Sequence, residues 1–178
     1  MLDALLEMMP QGCNILLTGD RFYGTAALIG WCQQASWGYR LRLKSNLTLQ
    51  HQGAEIISGD IARFAPQGIE MAELNGSGIL TNIGTLHEKG HPEPWIIAMD
   101  GKPTPARVRD YGMRWGIEAL FSDFKSRGFG ITKTHLGHAD RIARLILVLT
   151  IALFFAVSTA MQPDQNAPKY SQKKPIAV

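Results

Sequence analysis

The stretch Tyr111–Lys125, YGMRWGIEALFSDFK, constrains the fold most, because its polar and apolar residues separate when wound as one helix. At about 100° per residue from Tyr111, the side chains of Arg114, Glu118 and Lys125 return to within an arc of about 60°. The resulting polar stripe is roughly 21 Å long at helical rise. Met113, Ile117, Leu120, Phe121 and Phe124 collect on the adjoining face, which is expected to lie on a core. Geometry leaves two readings of the stripe open. It is either a solvated edge with an i,i+4 Arg114–Glu118 pair worth a few tenths of a kcal/mol, or a line of donors and a carboxylate for a ligand.

A chain of 178 residues can bury a sizeable single core, and 46% hydrophobic with 19% charged residues excludes a disordered chain. The net charge of +3 is unevenly spread. Residues 1–100 hold six basic and ten acidic side chains, residues 101–144 nine and four. Positive charge therefore gathers around the Tyr111–Lys125 helix, where a polyanion would approach. Cys13 and Cys32 have neither metal-type spacing nor a disulfide pattern, and no N-terminal leader precedes Asp3 and Glu7, so a cytoplasmic setting is expected.

In chain order, residues 1–9 read as a helix closed by Pro10 and Gly12, and Asn14–Thr18 as a short buried strand. That strand delivers Asp20 to its C-terminal end, where α/β sheets place ligand groups, although a turn or capping aspartate has the same sequence context. Thr25 caps the next helix. Tyr39–Lys44 alternates, with Tyr39, Leu41 and Leu43 facing a core. Arg40, Arg42 and Lys44 face away, as a solvated strand face or, less favoured, a nucleic-acid contact. From 45 to 94 glycines punctuate short apolar pieces, a β-rich stretch. His87 and His91 read as loop residues, since Gly90 and Pro92 spoil a helical metal pair.

Glu93–Met99 reads as another core strand, and Thr104-Pro105 opens the Tyr111–Lys125 helix, which Gly128 and Gly130 end. Leu145–Val157 is apolar except for Thr150 and is expected to be a core helix packed beside the Tyr111–Lys125 helix. Its 13 unbroken residues fall short of the ~20 that cross hydrocarbon, which makes a membrane helix the lesser reading. Residues 163–178 read as a disordered tail.

Tyr111, Arg114, Glu118 and Lys125, spaced Y-(2)-R-(3)-E-(6)-K, with Trp115, Ile117 and Phe121 between them, resemble the signature of one branch of the bacterial insertion-sequence transposases of the DDE class. LLTGDRFYG followed by WGYRLRLK resembles the family's segment around its second catalytic aspartate. The resemblance implies a ribonuclease-H-like fold, a mixed α/β sheet flanked by helices, over residues 1–162 with an insertion at 45–94. It assigns metal binding and catalysis to Asp20 and Glu118, with Mg²⁺ or Mn²⁺ as cofactor. It assigns phosphate contacts to Tyr111, Arg114 and Lys125, with transposon ends and target DNA as partners, and a homodimer or a pairing with full-length transposase as the assembly.

The family's first aspartate lies on a strand well before the second, and Asp3 sits in a helical stretch instead. A C-terminal fragment of a catalytic domain, lacking N-terminal strands and inactive by itself, is therefore expected. The alternative is a non-enzymatic basic protein that binds DNA or associates with a membrane.

Overall fold

The computed structural model describes residues 2–10, 12–87, 90 and 92–161. His91 and the expected tail at 163–178 lie outside these. The chain divides into two compact units, Met1–Glu118 and Ala119–Val178.

The first unit is built on a seven-stranded mixed sheet ordered β1-β2-β7-β6-β5-β3-β4. The strands are β1 Leu16–Gly19, β2 Gly38–Arg42, β3 Thr48–His51, β4 Ala54–Ile57, β5 Ile69–Leu74, β6 Leu80–Leu86 and β7 Trp95–Met99. Strands β1 and β2 pair in parallel, with Leu17 opposite Tyr39, and every other pairing is antiparallel. The parallel pair needs a crossover, which helix α2, Ala26–Gln34, provides. Thr25 caps this helix through its side chain, which accepts a hydrogen bond from the Leu28 N–H at 3.3 Å. The four strands between residues 45 and 94 continue the same sheet, because β6 pairs with β7 along Asn82–Leu86.

Strand β7 is buried on both faces. Ile96 and Ala98 join a core with Tyr39, Leu41, Leu43 and Ile29 of α2. Trp95, Ile97 and Met99 join a second core with Val108 and Tyr111 on the opposite face. Helices thus cover both sides of the sheet's centre, the layered arrangement of a ribonuclease-H-like α/β fold. The remaining helices are α1 Leu2–Met8, α3 Ile61–Phe64, α4 Pro105–Arg109, α5 Trp115–Ser122 and α6 Ala139–Met161. Asp3 of α1 accepts a 2.8 Å hydrogen bond from the Trp31 indole N–H, a structural tie to α2.

Helix α4 begins at Pro105, as Thr104-Pro105 suggests, with the Thr104 hydroxyl accepting from the Arg107 N–H at 3.3 Å. It approaches the sheet over Gly84, where an added Cβ would lie 2.5 Å from Val108 Cγ2. The region does not continue as one α-helix. A 3₁₀ turn, Asp110–Arg114, separates α4 from α5, and a π-helical turn, Asp123–Arg127, follows α5. Each departs from the α-helical angle per residue, so the even spacing expected from Tyr111 to Lys125 is interrupted. The 3₁₀ turn carries Tyr111 into the core, 2% exposed and edge-on to Trp95 at 5.4 Å between ring centroids. The expected apolar face is also rearranged: Met113, Ile117 and Phe121 are exposed, and Phe124 is buried.

The second unit contains the end of α5, the π-helical turn, a short 3₁₀ turn Ile131–Lys133, and α6. Helix α6 starts at Ala139, and Leu145–Val157 within it is not a core segment. Leu147, Val148, Phe154 and Phe155 are all exposed, and none of the apolar window within Ala139–Thr159 is buried. That span is long and apolar enough to cross a membrane by length and composition. Two of its hydroxyls bond within the helix, Thr150 donating to the Ile146 carbonyl and Thr159 to the Phe155 carbonyl, both at 2.8 Å.

Candidate active site

Asp20 follows the last residue of β1, in the turn that leads to α2. Its two carboxylate oxygens serve different partners. Oδ1 accepts the Phe22 N–H at 2.9 Å, which fixes the turn. Oδ2 lies 3.6 Å from Nη2 of Arg114. Arg114 also reaches forward one helical turn, its Nη1 lying 3.1 Å from Oε1 of Glu118. One guanidinium therefore holds the strand-end aspartate and the helical glutamate together. The planar fork of arginine allows this, because its terminal nitrogens donate in divergent directions. The turn reading of Asp20 is met by Oδ1, and Oδ2 is left to pair with Arg114.

The turn is pressed tightly against its neighbours. A Cβ on Gly24 would collide with the backbone carbonyl of Arg42, and one on Gly19 would meet Leu41 Cδ2 at 2.9 Å. Only glycine lets the Asp20 turn seat on the end of β2 at this spacing.

Of the three cations on the polar side of Tyr39–Lys44, Arg40 is not solvated. It is 6% exposed and ion-paired with Asp100, and its Nη2 lies 3.2 Å from Asp110. It also donates to the carbonyls of Tyr39 at 2.7 Å and Arg107 at 3.0 Å. A buried guanidinium requires this degree of pairing. Arg40 joins β2, the end of β7, and the start of the turn that carries Arg114. Alternation alone could not distinguish it from Arg42, which is half-buried, or Lys44, which is exposed. The sequence signal that was available lies in Asp100 and Asp110, which bracket α4 and supply its counter-charges.

Lys125 lies in the second unit, exposed, on the π-helical turn. Its carbonyl accepts from the Thr132 hydroxyl at 3.1 Å. Of the two cysteines, Cys13 is exposed and Cys32 is buried, and both are free thiols.

Two hard carboxylates suit Mg²⁺, which is held by one or two carboxylates together with substrate phosphates and water. Among the described residues, no group of three or more His, Cys, Asp or Glu side chains is placed to hold a metal ion. Asp20 and Glu118 are two carboxylates of the hard-donor type, with the Arg114 guanidinium as the counter-charge between them.

A family model described as Transposase DDE domain matches residues 1–155. The chain belongs to this family. No curated protein matches it. The assignment makes the protein a transposase domain whose chemistry is DNA transposition, and the family typically uses a divalent metal. In this DDE domain the sheet, the strand-end aspartate and the α5 glutamate lie within the first compact unit.

Proposed function

We propose that this chain carries the second and third acidic residues of a DDE transposase of the Y-(2)-R-(3)-E-(6)-K branch, as Asp20 and Glu118. Within that reading residues 1–162 form the catalytic domain, with residues 45–94 as its insertion. The observation that carries it is Arg114, which bridges these two carboxylates across the fold. When bound, Mg²⁺ or Mn²⁺ would supply Lewis-acid activation of water or a 3′-hydroxyl for in-line attack on a phosphodiester.

The chain's own residues bind and position. Asp20 and Glu118 provide hard oxygen donors. Arg114 and Lys125 provide cationic contacts to phosphate, which fix DNA without reading its sequence. Tyr111 supports the segment that carries Arg114 from the core, by packing on Trp95, rather than by presenting its ring to solvent. With two converging carboxylates and no third acidic ligand beside them among the described residues, the site is under-liganded. We infer that the chain alone binds DNA and does not cut it, and that it acts in the cytoplasm, paired with itself or with a full-length transposase.

Labelled duplexes titrated at several salt concentrations test this reading. Binding should weaken steeply with salt. Arg114→Ala or Lys125→Ala should weaken it alike for all sequences, while Glu118→Gln leaves it intact or slightly tighter without metal. Mg²⁺-dependent nicking that survives Glu118→Gln would place the activity elsewhere and remove the assignment.

A second reading follows from α6. A 21-residue span long and apolar enough to cross a membrane, with none of its apolar window buried, is the observation behind a membrane-associated interaction protein. Under this reading the expressed chain is recovered from membranes by detergent alone. Under the transposase reading it is recovered without detergent.

A further inference from the structure

The turn that carries Asp20 also carries two aromatic side chains that take no part in either core. Phe22 is 75% exposed and Tyr23 60%, although the backbone beneath them is firmly held. The Asp20 carboxylate and carbonyl accept the Phe22 and Tyr23 N–H groups, each at 2.9 Å, and the Thr25 N–H donates to the Tyr23 carbonyl at 2.8 Å. Gly19 and Gly24 seat the turn against Leu41 and the Arg42 carbonyl. Two adjacent exposed rings thus stand on a held backbone rather than on a loose loop.

Cations surround them. Lys44 Nζ lies 6.0 Å from the centre of the Phe22 ring. Arg21 and Arg42 flank a small cavity of about 130 Å³ and both reach Glu93, at 3.6 and 3.8 Å. These are long ion pairs to a carboxylate that is itself exposed, so both guanidinium groups keep donors for a further anion. Exposed aromatic faces combined with backbone-tracking cations are the chemistry of single-stranded nucleic-acid binding, in which bases stack and phosphates are neutralised.

We propose that Phe22 and Tyr23, with Arg21, Arg42 and Lys44, form a binding site for an unpaired DNA nucleotide next to the Asp20–Glu118 pair. A duplex offers its bases only as edges in the grooves, so two solvent-facing rings gain nothing from it. An unstacked base gains a full face. The connection to the acidic pair is direct, because the carboxylate that fixes the Phe22 N–H is the one that faces Arg114. A base stacked on this turn holds its own phosphate beside Asp20. The site then selects DNA whose strand is frayed or displaced at the reacting phosphate.

This inference rests on the DNA-binding reading above, and its test separates the two. Fluorescein-labelled blunt duplex and the same duplex with a three-nucleotide single-stranded overhang are titrated with the full chain by fluorescence polarisation. The double variant Phe22→Ala with Tyr23→Ala should lose roughly tenfold or more in affinity for the overhang DNA, the scale of one stacked base, and stay within about twofold on the blunt duplex. Phe22→Trp should retain the affinity and show indole quenching with the overhang DNA alone. Equal loss on both DNAs, or no loss on either, overturns the stacking site while leaving DNA binding in place. If the wild-type chain binds neither DNA, the DNA-binding reading fails and this site fails with it.

Discussion

Replacing Arg114 with Gln should tighten divalent-metal binding, an outcome that distinguishes a counter-charge from a structural contact. Arg114 places one positive charge against both carboxylates, 3.6 Å from Asp20 and 3.1 Å from Glu118. An ion held by those carboxylates must approach the guanidinium to a similar distance. A unit charge about 4 Å from a divalent ion is repelled by about 2 kcal/mol even in bulk water, twice the value for two unit charges. The arginine stem is long and partly exposed, so it can swing toward solvent and relieve about half of this. The remaining ~1 kcal/mol corresponds to a roughly fivefold lower Kd in the glutamine variant.

Mn²⁺ titrations followed by the loss of the free-ion electron paramagnetic resonance signal would measure this without reference to activity. Arg114→Lys, which keeps the charge, should stay near the wild-type value. Glu118→Gln should move in the opposite direction, since it removes a donor. If Arg114→Gln binds Mn²⁺ equally or more weakly while Glu118→Gln has no effect, the metal is not held by this pair and the reasoning is refuted.

Four further outcomes are expected. Arg40→Met should lower the urea midpoint by about 2 kcal/mol of stability, because Asp100 and Asp110 lose a shared partner; their own partial exposure keeps the cost below the 3–5 kcal/mol of a fully buried pair. Gly84→Ala should cost about 1–3 kcal/mol by forcing α4 away from the sheet, and an unchanged denaturation midpoint would show that Val108 can yield. Ellman's reagent at pH 8 should titrate Cys13 at once and Cys32 only in denaturant, since burial raises the Cys32 thiol pKa and so lowers its thiolate fraction. Burial likewise raises the Tyr39 phenol, so both groups favour the folded state while protonated. Their contribution is full below pH 9.0, the ordinary thiol value, and is lost as pH rises, the phenol joining above 10.0; Cys32→Ala should delay the onset of that loss in urea midpoints taken against pH.

Sequence alone determined what neighbouring residues decide among themselves. The Thr25 and Thr104-Pro105 helix starts were legible because a cap is a contact across three residues. The core face of Tyr39, Leu41 and Leu43 was legible because strand alternation is fixed by covalent geometry. The family's spacing singled out Asp20, Arg114 and Glu118. Tertiary structure decided the rest. Arg40 and Arg42 carry the same side chain on the same strand face, and only the arrival of Asp100 and Asp110 from distant segments buries one of them. The Tyr111–Lys125 stretch has α-helical periodicity throughout, yet the Tyr111 ring enters a core with Trp95 and the backbone tightens into a 3₁₀ turn. Leu145–Val157 has the composition of a core helix, yet none of it is buried. Apolar composition states that a surface is costly to leave in water, but not which surface will cover it.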